Sequence, residues 1–153
     1  MKQQTNSLKS VEKTVQTTSV VVMTPVSAGE AFDKYAISLI KGSRLEDFKS
    51  TLALEESTLL RGAISEYVGA YDWKKDCLLL KKLVKCNEDL WDAENEIRRI
   101  IHEDPDNLKA HVECSNQIRL GNEVRASIKA EINKKYGSKL YELKSYEGFD
   151  LEV

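Results

Sequence analysis

Proline is nearly missing from this chain: of 153 residues only Pro25 and Pro105 are proline, and glycine occurs just seven times. So few breakers favour long helices over the frequent turns of a sandwich or barrel. Cysteine is scarce as well. Cys77, Cys86 and Cys114 form an odd set with no C-x-x-C pair, which speaks against a disulfide framework and for a reducing cytoplasm. His102 and His111, nine residues apart, assemble no zinc pattern with them, so no metal is expected. No Gly-rich phosphate loop, Ser–His–Asp set or H-E-x-x-H stands in the sequence, and no cofactor is implied. The run Val20-Val21-Val22-Met23 is too short for a signal-peptide core, and nothing approaches the length of a membrane span. The expectation is a soluble, cytoplasmic protein with no membrane partner. A net charge of -2 also argues against duplex DNA, which calls for a basic excess.

What is present is a chain 41% hydrophobic and 31% charged, of a length that suits one domain with a real core. Residues 1–22 read as a flexible polar arm, with at most one short strand in the β-branched run Thr17–Val26. Residues 23–146 read as a helical domain, and 147–153 as an acidic tail. Ser27-Ala28-Gly29-Glu30 is a capping box that opens a first helix, with Phe32, Ala36, Leu39 and Ile40 as its apolar face and Gly42 at its end. Ser43-Arg44-Leu45-Glu46 repeats the pattern and opens a second helix ending near Gly69. A third helix is expected from an Asp72 cap to Glu103, about 46 Å at roughly 1.5 Å per residue. Asp104 as cap and Pro105 at the first helical position start a fourth, closed by Gly137. The expected fold is therefore all-α: a long antiparallel helical hairpin with two shorter N-terminal helices, bundle-like.

The hairpin carries the most informative pattern. Leu80, Leu83, Asn87, Leu90, Glu94, Ile97 and Ile101 follow heptad spacing, yet Asn87 and Glu94 stand where a coiled-coil seam wants apolar residues. A second stripe, Ile118, Asn122, Arg125, Lys129 and Ile132, is also polar in its middle. Antiparallel packing about the Asp104–Pro105 turn brings residues whose numbers sum to about 209 to one level. Asn87 then meets Asn122, Trp91 meets Ile118, Glu94 meets Ser115 and Val84 meets Arg125, with Glu88 as the carboxylate nearest Arg125. Buried polar groups are costly unless paired, so the coincidence means either a register-fixing network or a ligand site.

The residues Pro25-Val26-Ser27-Ala28-Gly29-Glu30, Asp33-Lys34 and Ile40-Lys41 resemble the opening of a small bacterial and phage family of unknown function. Its second block is matched by Asn87, Leu90-Trp91, Glu94 and Ile97-Arg98. Its third is matched by Asn122, Arg125-Ala126, Lys129, Ile132-Asn133, Gly137-Ser138, Glu142 and Lys144-Ser145-Tyr146. The resemblance implies an all-helical domain on an antiparallel hairpin, with a neighbourhood in sugar and surface-glycan metabolism and no known reaction. The matched residues are mostly polar, which points to recognition.

Three function classes follow. The first is non-catalytic binding, including sequestration, of a small anionic ligand such as a nucleotide, a nucleotide-derived signal or a sugar phosphate. Arg98, Arg125, Lys129 and Lys34 would hold phosphate, and Asn87 and Asn122 would read polar edges. Trp91 or Tyr146 would stack on a ring, and Glu94 completes the set. Core anchoring is the plainer role for Trp91, and a solvated helix face for Lys34 and Lys129. The second class is an enzyme of nucleotide-sugar or glycan metabolism, with Glu30, Asp33 and Glu94 as acid, base or Mg²⁺ ligands. A capping box already gives Glu30 a structural job, and the reading leans away from catalysis. The third is a helical interaction or assembly protein. Homo-oligomerisation is expected under all three.

Overall fold

The computed structural model describes residues 21–68 and 78–141. Four helices pack as a bundle: α1 (Ala28–Arg44), α2 (Asp47–Val68), α3 (Leu78–Glu103) and α4 (Leu108–Lys135), with α1·α2 and α3·α4 as hairpins. No strand occurs among the described residues, so the run Thr17–Val26 forms none over its described part. The expected Asp72 cap, the arm before residue 21 and the acidic tail lie outside the described residues. Among the described residues, no helix is long and apolar enough to cross a membrane.

Helix α1 occupies the middle. It lies against α2 on one side and across α3 and α4 on the other, whereas α2, of the described helices, lies along α1. Phe32, Leu83 and Ile132, one from each of α1, α3 and α4, are almost wholly excluded from water. Burial of each such side chain is worth about 1.5–3 kcal/mol. Phe32 also stacks on Tyr136, with ring centroids 5.4 Å apart.

Ser27 caps α1 as its sequence demands, its Oγ accepting from the Glu30 N–H at 3.2 Å. The second capping box does not form. Helix α1 runs on through Gly42 to Arg44, the Ser43 hydroxyl donates to the Ile40 carbonyl at 2.9 Å, and α2 begins only at Asp47. Gly42 is needed for another reason: a Cβ there would come within 2.7 Å of the Leu54 side chain, so its smallness lets α1 and α2 approach. The cap of α4 also shifts. Asp104, Pro105 and Asp106 make the turn, and Asn107 caps instead, its Oδ1 accepting from the Ala110 N–H at 3.1 Å.

The α3–α4 register agrees with the expected one to about half a turn. Cys86 donates its S–H to the Gly121 carbonyl at 3.4 Å, and Cys114 to that of Ala93 at 3.1 Å. Burial pushes both thiols up, so they sit in the seam as protonated, weakly donating small residues.

Candidate functional site

The polar interruptions of the two stripes meet where α1 crosses the hairpin. Asn87 is buried, and its Nδ2 donates to Asp33 Oδ1 of α1 at 2.7 Å. Arg125 bridges the two asparagines: Nη2 donates to Asn122 Oδ1 at 2.7 Å and Nη1, more weakly, to Asn87 Oδ1 at 3.4 Å. Asn122 in turn donates to the Ile118 carbonyl at 3.0 Å. The asparagines thus share a guanidinium instead of bonding each other. The carboxylate joined to this network is Asp33, through the Asn87 amide. Glu88, expected to serve Arg125, instead lies in the field of Arg44. That guanidinium pairs with Asp92 and holds its carboxyl below the usual carboxylate range, Asp92 holding Arg44 up in return.

A second polar group fixes the start of α1. Gly29 N–H donates to Asn133 Oδ1 at 2.7 Å and Ala28 N–H to Ser138 Oγ at 3.2 Å. These are orphan amides of a helix N-terminus, here satisfied by α4 and the turn after it. Gly29 allows the approach, since a Cβ there would lie 2.6 Å from the Lys129 carbonyl oxygen. Glu30 does not reach back to complete the capping box, for its carboxylate pairs with Lys129.

Five of the residues expected to bind ligand line one cleft of about 320 Å³ at the carboxyl end of α1. Asn87, Trp91, Glu94, Arg98 and Arg125 face it, together with Asn95. Ile37, Ile40 and Leu90 make its apolar walls. Ile37 and Asn95 escaped the sequence reading; Ile37 had a signal, lying one helical turn before Ile40 on the apolar side of α1. Asn122 stands behind the cleft as a support for Arg125. Lys34 and Lys129 do not join it. Lys34 reaches across to α2 and pairs with Glu56 at 2.9 Å, while Lys129 belongs to the start of α1. The four expected cations therefore do not converge. Tyr146 lies outside the described residues. Another cleft of about 350 Å³, between α1 and α2, contains none of the expected site residues.

The cations at the cleft differ in their partners. Arg98 is turned back on its own helix, Nη2 on Glu94 Oε2 at 2.9 Å and Nη1 on the Glu94 carbonyl. Arg125 donates to the side-chain amide oxygens of Asn87 and Asn122. The three carboxylates weighed for catalysis are each engaged: Glu30 by Lys129, Asp33 by Asn87 and Glu94 by Arg98. Among the described residues no cluster of His, Cys, Asp or Glu is arranged to hold a metal.

Over the described residues, fold and site together define an all-helical four-helix bundle with a mainly apolar cleft that carries polar and charged side chains. No protein family, curated protein or solved structure gives a match to the chain.

Proposed function

We propose that the protein binds a small anionic molecule, of the nucleotide or sugar-phosphate kind, in the cleft between α1 and α3, without acting on it chemically. One observation supports this above the rest: five of the nine residues expected from the sequence to bind ligand, Trp91 and Arg125 among them, line a single concavity. A guanidinium held by neutral amides keeps its charge for an incoming anion, and an indole beside it offers a stacking face. The first test is mass spectrometry of small molecules released from the purified protein. The second is titration of Arg125→Lys, which keeps the charge and loses the fork; a drop in affinity of roughly tenfold or more is expected. An unchanged titration would remove Arg125 as the anion clamp.

A different observation favours the interaction-protein reading. Beyond the end of α1 the hairpin leaves Ile101, Leu108 and Val112 more than half exposed, and such apolar surface suits a second copy of the chain. Sedimentation across a concentration series tests it; a monomer at every concentration would refute it. The bacterial and phage family suggested by the sequence motifs belongs with these proposals, as does sequestration of a signal nucleotide.

A further inference from the structure

Resting on the anion-binding reading of the same cleft, the geometry points to a ligand with one anionic head group on a flat or chain-like apolar body, and against ligands with two or more phosphates.

The inference begins from a count of charges. Glu94 lines the cleft and holds Arg98 by both its carboxylate and its main-chain oxygen. A second phosphate on the ligand would have to displace that carboxylate or sit beside it, and like charges repel. The other two expected cations, Lys34 and Lys129, are engaged by Glu56 and Glu30 away from the cleft. Of the cations at the cleft, Arg125 is the one whose guanidinium is bonded to uncharged amides, and even its charge is answered by buried Asp33 on the far side of the Asn87 amide. Such a site has charge enough for one head group.

The walls determine the rest of the molecule. From Asn87 to Arg98 the cleft follows twelve residues of α3, about 16 Å of helix at roughly 1.5 Å rise from each residue to the next. Ile37, Ile40, Leu90 and Trp91 supply its apolar lining. A sugar ring covered in hydroxyls would lose water against these apolar walls, whereas an aromatic ring or short chain gains by being buried there.

Two probe series test this, read by the fluorescence of Trp91 in a Trp73→Phe background and by calorimetry. Adenosine, AMP, ADP and ATP hold the body constant and vary the phosphates. Phenyl phosphate and glucose 6-phosphate hold the head constant and vary the body. AMP is expected to bind at least about tenfold more tightly than adenosine, with ADP and ATP weaker than AMP. Phenyl phosphate is expected to exceed glucose 6-phosphate, and Arg125→Lys, checked for native helicity, to erase the gain of AMP over adenosine. ADP or ATP binding as tightly as AMP, or glucose 6-phosphate ahead of phenyl phosphate, would overturn the single-head, apolar-body assignment while leaving an anion site in place. No response to any probe, inorganic phosphate included, would overturn the anion-binding reading and this inference with it.

Discussion

The two ends of the α3–α4 hairpin are built from the same heptad stripe and end up in opposite states. Toward the base, up to about Glu94, the stripe receives α1, and its polar members are the ones most fully engaged. Asn87 and Lys129 are buried and bonded to α1, as is Asn133 on the neighbouring face of α4. Toward the tip Ile100 instead of Ile101 is the buried residue of α3, and other apolar side chains lie open, Ile101 at 55% and Leu108 at 75% exposure. The ion pairs that join α1 to the hairpin, Arg44 with Asp92 and Glu30 with Lys129, lie toward the base, whereas at the tip Arg99 bonds Glu96 and Glu103 of its own helix. Polar residues in a seam are thus no sign of weak packing here. They mark where a third helix arrives carrying its own polar groups.

The largest effects should separate the two ends by their cores. Leu83→Ala at the base removes a fully buried side chain, and a loss of about 2–5 kcal/mol in denaturant melts is expected. Ile101→Ala at the tip should stay within about 0.5 kcal/mol of wild type, as surface changes do. Equal losses would mean that the tip is covered in solution and would abolish the contrast.

Next comes the docking of α1. Gly29→Ala sets a methyl group against the Lys129 carbonyl, and an overpacking loss of about 1–3 kcal/mol is expected. Arg125→Ala should cost about 1–3 kcal/mol by leaving amide oxygens unsatisfied and Asp33 unanswered. The double mutant with Asp33→Asn should then lose less than the sum of the single changes. Strict additivity would show that the Asn87 amide does not couple the two charges.

The smallest effect belongs to the exposed clamp of Arg44 on Asp92. A carboxyl held low in the folded state stabilises above its unfolded value, near 3.9, and that contribution disappears as pH falls through the lower folded value. Arg44→Gln should therefore flatten the acid limb of the stability curve below about pH 4, with little change near neutrality. Salt should weaken the wild-type difference; an unaltered acid limb would show the pair to be inert.

Much of this was legible in the sequence, because helices announce themselves by period and caps. Ser27, the α4 end at Tyr136 and Gly137, and the hairpin register all follow local rules. The errors arose where a tertiary contact overrode a local signal. Gly42 looked like a helix end and is a packing notch for Leu54; Glu30 looked like half of a capping box and is the partner of Lys129. Heptad counting placed Asn87 and Asn122 at one level correctly. It could not show that Asp33 reaches Asn87, since nothing in two stripes reveals the angle at which a third helix crosses. Lys34 was assigned to the site for its charge and its place in the Asp33-Lys34 motif, and its orientation toward α2 depends on which face of α1 meets the hairpin.

The position of α2 sets an order of opening. Its backbone rests on α1 and on no other described helix, so α2 can lift away and leave the α1–hairpin bonds intact, whereas α1 cannot leave without releasing α2. Local unfolding is then a ladder with α2 on the lowest rung, α1 above it and the α3–α4 base on top. In native-state hydrogen exchange the amides of α2 should never outlast those of α1, and a ligand lodged against Ile37 and Ile40 would raise the α1 rung directly. Any slowing of α2 exchange on ligand addition would then be an effect relayed through α1.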